Sequence, residues 1–490
     1  MNDRPANTTP VPAGFRIALD AGTIRLDTDI WFGGSPARVV RLTASGRTAW
    51  TELRDGAIIS RRAGMLARRL TDAGLAHPLP PTPDAADVTV IIPVYNRTEA
   101  LERCLAALGS AYPIVVVDDA SCDARAVADV AHRRGATLVR RAVNGGAGAA
   151  RNTGLAHVNS EFVAFLDSDC MSSGGWITRL VGHLADPLVA AAAPRITAIA
   201  SDTWAGRYTT IQGSLDLGAQ PARVTPGARV SYVPTAALVV RRAALRTVAR
   251  DGAVFDPTLR VGEDVDLIWR LHGSGWRIRY DPSVAVPHEE PATWHGLLAR
   301  RFRYGTSAAS LAERHGAAMA PIVLHPWPAL TVAALLSGHR FVAGAAFGTA
   351  VLTMHRTLRR ARIPTRGVVR AMASAAVQTW LGVGRYCTQF GTPVLVAGMA
   401  WGGRTRRAGA ASLLLAPPIA AWWPQRQVLD PARFTLGWLA DQMCYGAGVW
   451  AGCADRHTSV PVRPIVTWKS VRIESRPRHQ LVRGRLATGA

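Results

Sequence analysis

The sequence predicts an α/β protein whose central part is a doubly wound, Rossmann-like sheet, preceded by a small α+β module and followed by an apolar helical region. Short Val and Ile runs alternate with stretches of helical spacing in the centre, and each run is continuously apolar. Parallel strands covered by helices on both faces show that pattern. At 490 residues, the chain also exceeds the usual size of one domain.

The front module is predicted over residues 12–78. Its first half carries three strand-like runs, at 15–19, 24–26 and 37–42. Its second half carries two stretches of helical spacing, at 45–53 and 62–74, with core candidates Leu53, Met65, Leu66, Leu70 and Leu75. A Pro-rich linker at 79–87 separates this module from the centre.

The central domain is predicted over residues 88–316. Four strands are expected, at VTVIIPVY (88–95), PIVVVDD (113–119), TLVR (137–140) and FVAFLD (162–167). The helices between them are expected at ALERCLAAL (100–108), ARAVADVAHRRG (124–135) and AGAARNTGLAH (147–157). Ligands of such sheets bind beyond the carboxyl ends of the strands, so the polar residues after each run are the candidate site.

The third region, 317–455, is apolar and interrupted by two arginine clusters, at 356–366 and 403–409. Each apolar stretch is near or below the roughly 20 residues that a helix needs to cross a bilayer. We expect membrane association through short spanning, re-entrant or interfacial helices. A soluble helical domain with an apolar core is the alternative. Residues 456–490 form a basic tail.

The charge balance favours an anionic partner. There are 57 Lys plus Arg against 34 Asp plus Glu, a net charge of +23. Phosphate-bearing substrates, acidic lipids or nucleic acid would suit it. Lys469 is the one lysine, so a genome that prefers arginine codons is another explanation. Nucleic-acid binding would leave the acidic motifs below unexplained, so we expect no nucleic-acid partner.

The six cysteines have no paired spacing. A zinc ribbon or a disulfide framework is therefore not expected. The N-terminus has no apolar core behind its charges, so no cleavable signal peptide is evident.

Polar and acidic groups follow the predicted strands. They are Asn96 and Arg97, Asp118 and Asp119, and Asp167 and Asp169. A glycine-rich turn with its helix holds Asn144, Gly146, Arg151 and Asn152, and Glu263 and Asp264 come further on, in VGEDVDLIWRL (261–271). Two carboxylates that flank one residue at a strand end can offer oxygen ligands to Mg²⁺ or Mn²⁺. A turn stabilised by local Asp hydrogen bonds is the alternative. The glycines allow either close approach of a ligand or plain helix–strand packing.

These motifs resemble those of the family-2 glycosyltransferases. The matching segments are IIPVYNR (91–97), VDDAS (117–121), NGGAGAARNTG (144–154), FLDSD (165–169) and GEDVDL (262–267). The resemblance spans about 88–305 and implies a GT-A fold, hexosyltransferase activity, a nucleotide-sugar donor and Mg²⁺ or Mn²⁺ as cofactor.

The resemblance also implies roles on the donor side. The nucleotide-sugar contacts would come from Pro93, Tyr95, Arg97, Asp118, Asp119, Asn144, Gly146, Arg151, Asn152 and Asp167. Which of Asp118 and Asp119 faces the ligand stays open. Asp169 would bind the metal directly and Asp167 the ribose or, through water, the metal. His288 would add a metal ligand, or be structural.

Asp264 is the candidate catalytic base, because inverting transfer needs a carboxylate that takes the proton of the acceptor hydroxyl. Its alternative is an acid that stabilises a helix N-terminus, a role Asp266 could also fill. The acceptor side would comprise Thr235, Ala236, Glu263, Arg300, Arg303 and Tyr304. Arg300 and Tyr304 replace the Gln and Trp of the processive synthases, which weakens a prediction of long-chain polymerisation. The aromatic candidates for the acceptor groove, or for the core, are Trp204, Tyr208, Tyr232 and Trp276.

The front module, at 35–56 and 60–78, resembles winged-helix-like peptide-recognition modules akin to the pyrroloquinoline quinone peptide chaperone. The chain as a whole resembles glycosyltransferases of the mycofactocin system. That implies addition of β-1,4-linked glucose from UDP-glucose to a peptide-derived redox cofactor or its precursor, at the cytoplasmic face of the cell membrane. An envelope glycosyltransferase that acts on a lipid-linked or polysaccharide acceptor is the alternative.

Overall fold

The computed structural model describes residues 9–83, 86–360, 362–468 and 472–474. Within them lie a front module, a central α/β domain and a helical region. Part of the predicted linker and most of the predicted basic tail fall outside the described residues.

The front module contains two small sheets and two helices. Its elements are β1 (Arg16–Leu19), β2 (Ile24–Arg25), β3 (Ile30–Gly33), β4 (Arg38–Arg41), α1 (Ala44–Asp55), α2 (Arg61–Ala73) and β5 (Ala76–Leu79). The helices begin where Thr43 and Ser60 accept a backbone N–H of the first turn. Strand β3, which the sequence did not predict, pairs with β2 and β4.

The central sheet has eight strands. They are β6 (Val88–Val94), β7 (Ile114–Asp118), β8 (Thr137–Arg140), β9 (Phe162–Leu166), β10 (Val189–Ala198), β11 (Ala222–Val224), β12 (Ala237–Arg241) and β13 (Arg277–His288). Their order is β11-β13-β10-β12-β9-β6-β7-β8. Strands β6 to β9 pair in parallel, whereas β12 is antiparallel to both neighbours. The predicted α/β class is confirmed.

Helices cover both faces of this sheet. They are α3 (Thr98–Leu108), α4 (Ala124–Arg133), α5 (Ala147–Leu155), α6 (Gly175–Leu184), α7 (Trp204–Gln212), α8 (Arg242–Val248), α9 (Glu263–Gly273) and α10 (Trp294–His315). Along β6, Val90 and Ile92 enter the core on one face and Ile91 enters the core on the other. Burial on both faces explains why the strand is continuously apolar.

Six helices follow, after a short strand β14 (Val323–Leu324). They are α11 (Pro326–Leu336), α12 (Arg340–Arg360), α13 (Val368–Phe390), α14 (Thr392–Trp401), α15 (Arg404–Trp422) and α16 (Pro431–Asp455). Strand β15 (Ile465–Val466) pairs with β14, and β16 (Arg472–Glu474) pairs in parallel with β4 of the front module. Among the described residues, no helix is long and apolar enough to cross a membrane.

Helix α16 packs closely along α10. A Cβ on Gly305 would lie 2.2 Å from the carbonyl oxygen of Tyr445, and one on Gly448 would lie 2.0 Å from that of Phe302. Only glycine permits such an approach of two helix backbones. The contact brings the helical region against the central domain at the helix that carries Tyr304.

The front module is joined to the central domain by buried ion pairs. Arg68 and Asp186 lie 2.7 Å apart, with side chains 2% and 3% exposed. Asp72 and Arg277 form a second pair at 2.6 Å. Breaking one partner of a buried pair leaves an uncompensated charge, so these pairs hold the module in one position.

Candidate active site

A cavity of about 480 Å³ opens at the carboxyl ends of the central strands, where the topology predicts a site. Part of its lining comes from residues that the sequence predicted, namely Arg97, Arg151, Asp167, Asp169, Thr235, Ala236, Glu263, Asp264, His288, Arg300 and Tyr304. The fold therefore brings together candidates that are up to about two hundred residues apart in the chain.

A second cavity, of about 690 Å³, adjoins the first. Arg97 and Arg300 line both, and Asn96 and the exposed Arg303 line the second. Several guanidinium groups around one space can bind the oxygens of an anionic group such as a diphosphate.

The two carboxylates of the acidic motif after β9 pair with different arginines. Arg151 donates to Asp167 Oδ1 at 2.6 Å, and Arg97 donates to Asp169 Oδ2 at 2.5 Å. Burial pushes the pKa of Asp169 upward, but the hydrogen bond from His288 and the charges of His288 and Arg97 outweigh it and hold the pKa below its usual value. Asp169 is therefore ionised at neutral pH, as a metal ligand must be.

His288, at the end of β13, lies between two carboxylates. Its Nε2 is 3.3 Å from Asp169 Oδ1, and its Nδ1 is 3.2 Å from Glu290 Oε1. A carboxylate at one ring nitrogen fixes the ring and leaves the other nitrogen for a metal. Glu290 also pairs with Arg300. Glu290 was not predicted from the sequence, where its signal was an acid two positions after a candidate ligand histidine.

The donor set fits a divalent cation only in part. No group of three or more His, Cys, Asp and Glu side chains able to hold a metal ion occurs in the described ranges. Asp169 and His288 nevertheless fit as two protein ligands, because catalytic Mg²⁺ is commonly held by one or two protein groups, substrate phosphates and water. The fit therefore depends on a diphosphate that completes the ligand set.

Asp264 lies in the first turn of α9 and lines the cavity. Burial raises the pKa of Asp264 to about 7, and the negative charge of Glu263 adds to the rise. Arg151, the nearest candidate partner, forms its ion pair with Glu263 at 2.9 Å. In the described chain, no Arg or His forms an ion pair with Asp264. A carboxyl group that titrates near neutrality is suited to general-base catalysis.

Asp266, two residues further on, has structural partners. Its buried carboxylate pairs with Arg270 at 2.7 Å and with His315 at 2.9 Å. Gly262 precedes the helix with φ +84°, and a Cβ there would meet side chains of α10 at 3.0 Å. This entry to α9 buries Asp266 and leaves Asp264 on the cavity side.

The carboxylates of Asp118, the last residue of β7, and of Asp119, which follows it, bind other groups of the protein. Asp118 is fully buried and pairs with Arg140. Asp119 accepts from the N–H of Gly146 at 2.7 Å and so holds the glycine-rich turn before α5. Neither residue lines the two cavities. A nucleotide contact by either one stays a prediction.

Five further donor-side candidates also lie outside the lining of both cavities, and one of them is Gly146, whose N–H binds Asp119. Pro93 is buried in β6, and Tyr95 is 47% exposed in the loop after it. Asn144 donates to a backbone carbonyl of the β7 loop at 3.2 Å. Asn152 accepts from the N–H of Phe255 at 2.9 Å and donates to its carbonyl at 2.7 Å. The amide of Asn152 therefore fixes the chain before α9.

The segment before β12 lies beside the acidic motif. Thr235 and Ala236 are buried, and the carbonyl of Ala236 accepts from the N–H of Asp167 at 2.9 Å. This bond holds the predicted acceptor-side segment against the donor-side carboxylates.

Tyr232 is the one predicted groove aromatic that lines the cavity, together with Tyr304 and with Tyr445 of α16. Tyr445 was not predicted, because only the packing of α16 on α10 brings it there. The other three aromatic candidates, for which packing in the core was the alternative, are absent from the lining of this cavity: Trp204, Tyr208 and Trp276. Tyr208, for example, is fully buried in an aromatic cluster with Phe434.

Comparison with known proteins identifies the family. The family model described as glycosyl transferase family 2 matches residues 89–248. The pre-mycofactocin glycosyltransferase of Mycobacterium tuberculosis is 35% identical over 474 residues, with 93% of this chain and 98% of that protein covered. This chain belongs to the family-2 glycosyltransferases. It is a glycosyltransferase, and its central domain has the GT-A fold.

Two further matches are more distant. Glycosyltransferase AglE of Haloferax volcanii is 28% identical over 232 residues, which are 44% of this chain and 71% of that protein. The mannosyltransferase PcManGT of Pyrobaculum calidifontis, solved with GDP-Man and Mn²⁺, overlaps with a TM-score of 0.43 at 19% identity, over 77% of this chain and 90% of that one. The family assignment rests on the sequence matches alone.

Proposed function

We propose that this glycosyltransferase adds glucose, in β-1,4 linkage, from UDP-glucose to the precursor of the peptide-derived redox cofactor mycofactocin. One observation carries the proposal: the match to a protein named pre-mycofactocin glycosyltransferase covers 93% of this chain. A match of that extent includes the front module and the helical region as well as the catalytic domain. Similarity confined to the GT-A domain would support only the family.

The geometry of Asp264 supports an inverting displacement. Its carboxylate takes the proton of the acceptor hydroxyl while that oxygen bonds to the anomeric carbon. The bond from this carbon to the diphosphate breaks, and UDP leaves with the bonding electrons. A base with a pKa of about 7 is largely ionised at slightly alkaline pH and still accepts a proton. One displacement on an α-linked donor gives a β-linked product.

The arginines and the acidic motif support a diphosphate on the donor side. Arg97 and Arg300 line both cavities and lie beside Asp169 and His288, which would hold a Mg²⁺ or Mn²⁺ ion. Such an ion would stabilise the negative charge that develops on the leaving diphosphate. The guanidinium groups would bind its remaining oxygens.

The acceptor wall is built from two regions of the chain. Tyr232 and Trp269 come from the central domain, whereas Met319 and Pro321 follow α10 and Tyr445 comes from α16. These apolar and aromatic groups suit an acceptor with an apolar or ring-bearing body, because aromatic faces pack on rings and aliphatic carbons. A peptide-derived precursor is such a molecule.

The test is product analysis with the purified full-length chain. UDP-glucose is supplied with the peptide-derived precursor, and mass spectrometry and NMR follow the hexose additions and the linkage. Hexose addition with a β-1,4 linkage is the expected result. Transfer to lipid-linked sugars but not to the precursor would instead favour the envelope glycosyltransferase. UDP-mannose or GDP-sugars as better donors would overturn the donor assignment and leave the acceptor assignment standing.

A further inference from the structure

Two helical turns lie side by side at one end of the helical region. One joins α11 to α12 (335–342), and the other joins α14 to α15 (401–407). A Cβ on Gly338 would lie 2.9 Å from Thr405 Cγ2, so the two turns are in contact. We name these two segments the paired turn.

The paired turn exposes large apolar side chains. Phe341 is 86% exposed and Trp401 is 85% exposed. Leu335 and Val342 beside them are 58% and 47% exposed, and Val394 on α14 is 74% exposed. Single exposed apolar residues are ordinary, but a largely exposed Phe and a largely exposed Trp on two turns that touch each other mark an interaction surface.

Exposed arginines lie in the same two segments. They are Arg340, Arg404, Arg406 and Arg407. The guanidinium of Arg340 lies 5.8 Å from the ring centre of Phe341. The sequence contains no Asp or Glu between Glu313 and Asp430, so no acidic side chain of that stretch offsets these charges.

We infer that the paired turn docks on an anionic lipid bilayer. Phe341 and Trp401 enter the boundary between headgroups and acyl chains, and the arginines bind the lipid phosphates. Aromatic residues favour that boundary, and basic residues beside the apolar side chains add attraction to acidic lipids. The charge argues against a second copy of this chain as the occupant, because two arginine-rich turns would repel each other. The inference does not depend on the acceptor.

Vesicle flotation with the full-length protein tests this docking. Phosphatidylcholine vesicles with phosphatidylglycerol should carry the protein, and pure phosphatidylcholine vesicles should carry much less. Combined Phe341→Ser and Trp401→Ser should weaken partitioning by roughly tenfold or more, because each ring loses its burial in the boundary. Arg404→Gln, Arg406→Gln and Arg407→Gln together should abolish the preference for the anionic vesicles.

Matched variants separate the site from bulk properties. Ile24→Ser with Ile59→Ser removes apolar groups that are 55% and 83% exposed in the front module. The second control set removes three exposed arginines elsewhere: Arg61→Gln, Arg246→Gln and Arg250→Gln. Both controls should float like the unchanged protein.

Three results would overturn the inference. One is loss of binding in the control variants equal to that in the paired-turn variants. Another is a dimer that Phe341→Ser with Trp401→Ser dissolves while vesicle binding is unchanged. The third is displacement of the protein from anionic vesicles by duplex DNA at equal phosphate concentration with no effect of the two serine substitutions, which would indicate a general polyanion surface.

Discussion

Two pairs of consecutive acids among the predicted site residues differ in their surroundings. Asp118 and Asp119 at the end of β7 are buried, and their carboxylates accept from Arg140 and from the glycine-rich turn. At the start of α9, Glu263 takes the ion pair with Arg151, and Asp264 is left beside that negative charge with its pKa raised to about 7.

The partners of a carboxylate, rather than its residue type, therefore decide whether it fixes the backbone or takes part in proton transfer. A carboxylate whose charge is fully compensated within the protein fixes the backbone that holds it. A carboxylate that is buried without a cation keeps a high proton affinity, which is what a base needs. The first pair therefore fixes the end of β7 against β8 and against the glycine-rich turn, and Asp264 is available for proton transfer.

Removal of the divalent cation that Asp169 would hold should have the largest effect on the rate of transfer. Chelation by EDTA should abolish transfer, and Mg²⁺ or Mn²⁺ should restore it. Asp169 and His288 would hold the cation together with the donor diphosphate, and without the cation the charge on the leaving diphosphate is not stabilised. Asp169→Asn should stay folded and lose activity. Transfer assays with and without chelator measure this. Full activity in EDTA would place Asp169 with the compensated, structural acids.

Asp264→Asn should give the next largest effect. The substitution keeps the size and removes the base, and loss of a general base costs on the order of 10²–10⁴ in rate. Donor affinity, followed by UDP titration, should barely change. Asp119→Asn is the matched variant, in which donor affinity should fall more than turnover because the glycine-rich turn loses its anchor. Equal loss of UDP affinity in both variants would erase the distinction between the pairs.

Much of the fold could be predicted from local sequence. Strands β6 to β9 were predicted because each is an apolar run with helical spacing after it. Strand β10 was not predicted, because its run of alanines has low strand propensity and forms a strand only through burial between neighbours. Strand β3 was missed because its short apolar run ends in two consecutive glycines, which are typical of a turn. Tertiary packing decided these elements.

The site was predictable to the extent that its residues follow strands. Asp167 and Asp169 follow β9 at the carboxyl edge of the sheet, where the topology predicts a site, and Asp264 reaches the same cavity from the first turn of α9. Tyr445 could not be predicted, since only the close contact of α16 with α10 brings it to the cavity. The sequence also could not show that the amide of Asn152 is used by the backbone of Phe255.

The pH dependence of transfer tests whether Asp264, unlike Asp118 and Asp119, is the acid that controls turnover. If Asp264 is the base, kcat/KM should fall about tenfold for each pH unit below about 7, the pKa of its carboxyl group, and level off above it. Glu263→Gln removes the neighbouring negative charge that contributes to the raised pKa, so this acid limb should move to lower pH. Asp264→Asn should lose the limb. If the acid limb of Glu263→Gln lies at the same pH as that of the unchanged protein, the limb does not report the titration of Asp264 beside Glu263.

Protein stability should show the smallest effect, with opposite signs for the two pairs. Asp118→Asn leaves Arg140 without its anionic partner and should cost about 1–3 kcal/mol at every pH where the carboxylate is ionised. Asp264 behaves in the opposite way, because its folded-state pKa of about 7 lies above 3.8, the ordinary value of an aspartate carboxyl group. The folded protein binds the extra proton between these values, so its stability falls as pH rises from about 4 to about 7.

Asp264→Asn avoids that loss and should melt at or above the melting temperature of the unchanged protein at pH 8, with the advantage shrinking toward pH 4. Thermal melts of both variants across this range measure the difference. Destabilisation of Asp264→Asn at pH 8 as large as that of Asp118→Asn would mean that the Asp264 carboxylate is compensated after all, and would remove the physical reason for its high proton affinity.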